Sequence, residues 1–372
     1  MGLTALQTDA QGLGAEAVAE YRGATTASRF SDRDTEFAKL REKCGIYDLG
    51  YRAKISLTGG DRMRWLNGMV TNNIRDLAVG QGVYAFLLNP QGHILGDLYA
   101  YNRGESIVVD TDSSQVEKML ATFDHYIIMD DVEVKNLSDS VTTLGVAGPK
   151  SREVLAAAGI AIPDTNPLEI FEAKCICDCE CTQCTAVRGE DAAFETYELW
   201  LAPGEVRKTW DALVAHGATP VGSEALEIHR IVSGIPMYGV DIRERDLPQE
   251  TEQARALNFN KGCYVGQEIV ERIRSRGAVH RKFTGFLADP DRPIATGTKV
   301  VAGEKEVGEV TSVASVRVPS GKKTVALGYV RRELGTPGRE VTIGGMTASI
   351  VPLPFPEALL SRDQGAPVAR PA

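Results

Sequence analysis

Apolar positions along this chain fall into two textures. Between residues 31 and 282, runs with helical spacing alternate with runs of strand spacing, whereas from Phe283 onward only short β segments broken by glycine remain. Ser31-Asp32 caps a helix with Phe37, Leu40 and Cys44 on one face, stopped by Gly45. Residues 53–57 alternate as a strand, and Gly59-Gly60-Asp61 leads into a second helix carrying Met63, Trp65, Leu66 and Met69. Residues 83–88 and 94–101 form a hairpin about the turn Asn89-Pro90-Gln91-Gly92, with a third strand at 106–110. A helix over 114–126, strands over 131–135 and 141–147, and a helix opened by Gly148-Pro149 follow. Beyond a connector at 163–167, strands flank Gly189-Glu190-Asp191, the second at 196–201, and helices run over 205–216 and 224–232.

These patterns predict an α+β chain with antiparallel hairpins and no repeat at a fixed period. The predicted division is a flexible N-terminus over 1–30, an α+β domain over 31–160, a second α+β domain over 161–282, a small β-barrel over 283–355 and a disordered tail over 356–372. A length of 372 residues exceeds one comfortable core, in keeping with several domains.

The net charge of −9 argues against broad nucleic-acid binding, although Arg272, Arg274, Arg276, His280, Arg281 and Lys282 form a local basic run. No apolar run reaches the ~18 residues of a membrane span. The N-terminus lacks a signal-peptide layout, and Leu6 stands where a myristoylation motif needs Ser or Thr. A cytoplasmic, enzyme-sized protein is the expectation.

The densest chemistry lies in Asn260-Lys261-Gly262-Cys263-Tyr264-Val265-Gly266-Gln267-Glu268, a glycine-bearing turn that opens a helix. Lys261 and the helix N-terminus would both favour thiolate at Cys263; the competing reading is a small buried hydrophobe. Of seven cysteines, Cys175, Cys177, Cys179, Cys181 and Cys184 crowd into ten residues. The first four alternate, so on a strand their sulfurs would share a face ~6–7 Å apart, too far for disulfides. In a loop they could wrap zinc or an iron–sulfur cluster, but the CxCxCxCxxC spacing lacks a CxxC knuckle pair.

The stretch Lys261-Gly262-Cys263-Tyr264-x-Gly266-Gln267-Glu268 resembles the K-G-C-[YF]-x-G-Q-E signature of the YgfZ-type folate-binding proteins, relatives of the glycine-cleavage T-protein (aminomethyltransferase). Gly45-Ile46-Tyr47-Asp48-Leu49, Leu66 to Asn73, Arg230 to Pro236 and Pro248-Gln249-Glu250 are similar to further segments of that superfamily, so the resemblance spans about residues 35–353. It implies a T-protein-like three-part fold around a central channel that holds a tetrahydrofolate or a folate derivative. Carried over position by position, the folate contacts would be Tyr84, Asp97 beside the reactive nitrogens, Glu198 on the pterin and Arg230 at the glutamate tail. Asp110 stands where T-proteins carry a pterin-contacting Asn. The residue types suit those roles. A carboxylate such as Glu198 can accept two adjacent pterin N–H groups, a guanidinium suits a polyanionic tail, and Asp97 could orient an amine or move its proton.

The resemblance implies a tetrahydrofolate-binding accessory factor for iron–sulfur cluster assembly or maintenance, with Cys263 and Lys261 as the working pair. Its partners would be folate and iron–sulfur client or assembly proteins, with neither membrane nor nucleic acid. The alternative is a tetrahydrofolate-dependent aminomethyltransferase or demethylase in which Asp97 is central and Cys263 incidental. A third reading is a metal-binding protein built on the cysteine cluster.

Overall fold

The computed structural model describes residues 2–7, 13–175, 184–191, 193–277, 279–289, 292–318 and 321–356. The chain begins with β1 (Gly2–Leu3), β2 (Ala17–Tyr21), β3 (Ala24–Arg29), α1 (Arg33–Glu42), β4 (Gly45–Asp48), β5 (Arg52–Thr58) and α2 (Arg62–Met69). It continues through β6 (Gly82–Leu88), β7 (Ile94–Asn102), β8 (Ile107–Asp112), α3 (Val116–Tyr126), β9 (Glu133–Asn136), β10 (Thr142–Ala147), α4 (Ser151–Ala157) and β11 (Ile160–Ala161). Next come β12 (Ile170–Cys175), β13 (Cys184–Arg188), β14 (Thr196–Leu201), α5 (Val206–Ala215), β15 (Thr219–Pro220), α6 (Ser223–Val232) and α7 (Gln267–Arg276). The last strands are β16 (Arg281–Ala288), β17 (Lys299–Ala302), β18 (Lys305–Val318), β19 (Gly321–Arg331), β20 (Glu340–Ile343) and β21 (Met346–Val351). Among the described residues no helix is long and apolar enough to cross a membrane.

Two compact units divide the chain: residues 1–226 with 253–271, and residues 227–252 with 272–372. The first unit holds a five-stranded sheet in the order β6-β7-β8-β5-β9 and a seven-stranded sheet in the order β11-β12-β13-β14-β10-β4-β15. The expected hairpin of β6 and β7 forms where the sequence places it, closed by Asn89, whose backbone and side chain both bond His93. Behind the five-stranded sheet, Trp65 and Leu66 of α2 and Phe123 of α3 pack on Ile55, Leu98 and Val109. Behind the seven-stranded sheet, Trp210 and Leu213 of α5 pack on Ile46, Leu144 and Leu199. Each such large apolar side chain stabilises the fold by about 1.5–3 kcal/mol on burial.

In the second unit, β16-β19-β18-β17-β20-β21 close into a six-stranded barrel, as the glycine-punctuated texture past Phe283 predicts. Closure removes the two exposed strand edges that an open sheet of such short segments would leave. Phe286, Val300, Val310, Ala326 and Ile350 fill its interior.

Two expectations need correction. The stretch before residue 30 is not a loose lead: β1, β3 and β2 form a three-stranded sheet, and Leu6 and Leu13 are buried in the core of the seven-stranded sheet. Asp48, at the end of β4, pins that small sheet by accepting from the hydroxyls of Thr4 and Thr26, the latter at 2.8 Å. Its Ala- and Thr-rich strands carry little apolar signal of their own, so tertiary contacts such as these hold them. The division at residue 160 also fails, because β10 lies between β14 and β4 in one continuous sheet. Of the expected disordered tail over 356–372, residues 357–372 lie outside the described residues.

Candidate functional site

Strand alternation in β6, β7, β8 and β5 brings a set of polar side chains to one place in the first unit. Tyr84 of β6 donates its hydroxyl to Asp97 Oδ2 at 2.8 Å, and Gln115 Nε2 donates to Asp97 Oδ1 at 2.8 Å. Gln115 Oε1 also accepts from the Asp97 backbone N–H at 3.0 Å, so both ends of the amide grip one residue. Burial raises the proton affinity of Asp97, and the charge of Asp112 adds to that; the donors Gln115 and Tyr84 oppose it. The ring of Tyr99 lies 5.0 Å from that of Tyr84 and stacks on Tyr101 at 6.3 Å, which makes an aromatic wall beside the carboxylate. Arg255 covers the Tyr84 face at 4.2 Å and pairs with Glu190, which also accepts from the Tyr99 hydroxyl at 3.0 Å.

Next to this wall is a buried charge network. Lys54 of β5, fully buried, donates to Asp110 Oδ1 at 3.0 Å and to Thr143 Oγ1 of β10 at 2.9 Å, which ties the two large sheets together. Arg52 bonds Asp110 through Nε at 3.2 Å and Asp112 through Nη1 at 2.7 Å. Two cations beside a carboxylate with no exposed surface explain how an Asp can replace the expected Asn at 110: its charge is neutralised where it sits. Asp110 Oδ2 faces Arg52 Nη2 at 3.1 Å without a hydrogen bond, so acceptor capacity is left over.

Glu198 of β14 accepts from Trp200 Nε1 at 3.0 Å, and the Trp200 ring lies 4.6 Å from Lys54 Nζ. Burial raises the proton affinity of Glu198 and Asp110 raises it further, while Lys54 and Arg52 pull it down. Tyr47 and Glu198 flank Gly145 in register on neighbouring strands. A Cβ on Gly145 would come within 2.0 Å of the Tyr47 ring, so only glycine lets that ring lie across β10 beside Glu198. The structure brings Tyr84, Asp97 and Glu198 into one unit, with Arg52 acting on both Asp97 and Glu198.

Arg230 has a different setting. It belongs to the second unit, is buried, and donates to Glu227, Asp241, Ser312 and the carbonyl of Ile235. All five guanidinium N–H groups thereby have protein acceptors, so Arg230 clamps its own unit instead of presenting a free fork to a glutamate tail.

The signature loop also differs from expectation. Lys261 Nζ donates to the carbonyls of Asn67 and Val70, both at 2.5 Å, and stands 4.7 Å over the Tyr264 ring. Those carbonyls end α2, where a lysine complements the helix dipole. The ammonium is committed there and not to Cys263, which corrects the activating role anticipated for it. Burial lowers its pKa from 10.5 to about 7. Cys263 itself is exposed, which sets aside the buried-hydrophobe reading. Of the cysteine cluster, Cys184 is buried in the core, whereas Cys177, Cys179, Cys181 and the side chain of Cys175 lie outside the described residues.

Arg52, Lys54, Tyr99, Gln115 and Arg255 escaped the reading of the sequence. One signal was present: Arg52 and Lys54 alternate with the buried Ala53 and Ile55, and a charged pair on one face of a largely buried strand needs partners.

Comparison with known proteins agrees with this architecture. Residues 8–261 match the GCVT N-terminal domain, and residues 281–355 match the glycine cleavage T-protein C-terminal barrel domain. An aminomethyltransferase of Rubrobacter xylanophilus is 28% identical over 358 residues, covering 95% of this chain and 93% of its own. A protein described as putative transferase At1g60990, chloroplastic, of Arabidopsis thaliana is 26% identical over 313 residues, covering 82% of this chain and 69% of its own. The crystal structure of glycine cleavage system aminomethyltransferase T from Bartonella henselae superposes with a TM-score of 0.85 at 21% identity, covering 96% of this chain and 98% of that one. The aromatic wall, the gripped carboxylate and the closed barrel are thus those of a chain that belongs to the glycine cleavage T-protein family.

Proposed function

We propose that this protein binds a tetrahydrofolate in its first unit and transfers a one-carbon group between that folate and an amine-bearing donor, as an aminomethyltransferase or demethylase does. The observation that carries the reading is Asp97, a half-buried carboxylate gripped by Tyr84 and Gln115 beside a stack of tyrosines. The family's aminomethyltransferases favour the same reading. A folate, when bound, supplies the nitrogens between which the one-carbon group is carried.

The chain's own residues have distinct tasks. Tyr99, half-buried against the rings of Tyr84 and Tyr101, gives flat apolar surface for a ring system. Glu198, half-buried at the edge of the Lys54–Asp110 network, suits a donor-rich pterin edge. Burial raises the proton affinity of Asp97 while Tyr84 and Gln115 donate to it, which suits a carboxylate that takes and returns a proton at an amine. Lys54 and Arg52 keep the floor of the site electrically balanced.

The test has two parts. Calorimetry with 5-formyltetrahydrofolate should show binding by the native protein and loss of it in Glu198→Ala; equal binding by both removes the folate assignment. Turnover of an aminomethylated or methylated amine with tetrahydrofolate should disappear in Asp97→Asn, and full turnover in that variant defeats the transferase reading.

A second reading keeps the folate but makes the protein an iron–sulfur accessory factor. It rests on the exposed thiol of Cys263 within the KGCYVGQE loop. Cys263→Ser should then abolish rescue of a strain defective in iron–sulfur enzyme maturation, while undiminished rescue eliminates a role for the thiol.

A further inference from the structure

We propose that Arg22, at the tip of the N-terminal hairpin, is a positioning residue for Asp97 that acts through Asp112 and the turn leading to Gln115. The inference rests on the reading of Asp97 as the working carboxylate, but its central measurement does not depend on activity.

The backbone gives the first reason. Tyr21 pairs with Ala24, so β2 and β3 are joined by the two residues Arg22 and Gly23. Both lie in the left-handed region, at φ 51° and 98°. Such a turn favours Asn-Gly, and a long side chain in the first position is held there against its backbone preference. What holds it is the body of the first unit. Arg22 Nη1 reaches Asp112 Oδ2 at 3.1 Å and Oδ1 at 3.4 Å, and its guanidinium lies 5.3 Å from the Tyr21 ring and 5.8 Å from the Tyr51 ring. The carbonyl of Arg22 accepts from Ser114 N at 3.3 Å. A Cβ on Gly23 would come within 2.5 Å of that same nitrogen, so the tip is pressed against residues 113 and 114.

The connection to Asp97 is short. Asp112 ends β8, Ser113–Gln115 is a 3-10 turn, and Gln115 is the residue that grips Asp97 from both ends of its amide. Ser113 is fixed in turn, its N–H and hydroxyl both donating to the Tyr51 carbonyl. Charges face this corner from every neighbouring element. Arg22 and Tyr21 come from the hairpin, Arg52 and Tyr51 from β5 and the loop before it, and Asp110 from β8. Asp97 and Tyr99 come from β7, Tyr84 from β6 and Arg255 from the segment before the signature loop, with Glu198 acting through Arg52. Within that set only Arg22 and Arg52 are cations paired with Asp112, and Arg52 is shared with Asp110.

Removing the Arg22 charge leaves Asp112 with half of one cation. Its uncompensated charge then acts more strongly on Asp97, whose proton affinity Asp112 already raises. The expected consequence is a carboxyl at 97 that protonates at higher pH, together with a looser Gln115 turn.

The test is a carbon-13 titration of the full-length protein labelled at aspartate carboxyls, with the Asp97 resonance assigned by its absence in Asp97→Asn. Arg22→Met should move the Asp97 titration upward by about one pH unit, while Arg22→Lys should stay near the native curve. Arg22→Gln, which keeps a donor and drops the charge, should follow Arg22→Met and serves if that variant folds poorly. An unchanged Asp97 titration in Arg22→Met and Arg22→Gln, with or without a lower melting temperature, overturns the proposal, since it reduces Arg22 to a support for the hairpin. Binding of 5-formyltetrahydrofolate measured across the same pH range separates the two readings. A shifted titration with pH-independent binding upholds the role of Arg22 and removes the folate role of Asp97.

Discussion

Lys261 Nζ donates to the carbonyl of Asn67 at 2.5 Å, across 194 positions of sequence. The same ammonium bonds Val70, Val265 N donates to Gly68 O at 3.0 Å, and Asn258 N donates to Thr71 O at 3.1 Å. Thr71 returns its hydroxyl to the Ala256 carbonyl at 2.6 Å. Two motifs far apart in the chain, the stretch from Leu66 to Asn73 and the loop that holds Cys263, are thus one fastener. The end of α2 would otherwise leave carbonyls without donors, and the loop supplies them.

The lysine gives this fastener a pH dependence. An unfolded chain holds the Lys261 proton up to about 10.5, whereas the folded protein releases it near 7. Between those values the unfolded state binds more protons, so this residue's contribution to stability rises as pH increases from 7 towards 10 and is flat below 7. Urea unfolding at pH 7 and pH 9.5 should show a rise in the native protein relative to Lys261→Met, and parallel curves would contradict the assignment.

Lys54→Met tests the buried network. It leaves Asp110 with Arg52 as its cationic partner and no exposed surface, and should destabilise the protein by about 3–5 kcal/mol in denaturant unfolding. Asp110→Asn added to Lys54→Met should restore much of that loss, because the uncompensated charge goes with it. A double variant no more stable than Lys54→Met would mean that packing of the lysine stem, and not charge pairing, sets the effect.

Gly266 sits at φ 82°, and a Cβ there would come within 2.6 Å of the Asn89 carbonyl, whereas nothing lies within 4 Å of a Cβ on Gly262. Gly266→Ala should therefore cost about 1–3 kcal/mol and Gly262→Ala far less, although the two glycines flank the same thiol. Thermal melts of the pair decide this, and equal midpoints would show that the loop relaxes freely.

Tyr84→Phe removes one of the two side-chain donors on Asp97 while keeping the ring. The hydroxyl lowers the proton affinity of Asp97, so its loss should move protonation of Asp97 to higher pH. Affinity for 5-formyltetrahydrofolate should then begin to fall at a higher pH than in the native protein as the medium is acidified, and should converge with it at alkaline pH. A uniform loss across the range would instead assign Tyr84 a packing role alone.

Local rules made much of the fold legible. The turn at Asn89 to Gly92 fixes its hairpin within a few residues, Asp32 caps α1 through Thr35, and the density of glycine past Phe283 goes with the closed barrel. Each depends on interactions between near neighbours, which the order of residues states directly. The motif residues Tyr84, Asp97 and Glu198 were legible as residue types.

Their partners were not. That Lys54 neutralises Asp110 depends on the register of β5 against β8, and that Thr143 completes the contact depends on a second sheet. Arg230 reads as an anion clamp in its motif, yet its acceptors include Asp241 and Ser312, the latter 82 positions away. Lys261 reads as a neighbour of Cys263, yet it bonds a helix end early in the chain. The first thirty residues read as loose because alanine and threonine strands carry no apolar signature, and Asp48, Ser114 and Asp112 give them their place. The sequence by itself settled most of the elements past residue 30 and which chemical groups are present. The tertiary structure alone decided which charges are neutralised and which donors are already engaged, because a buried charge takes its partner from whatever the fold brings within hydrogen-bonding distance.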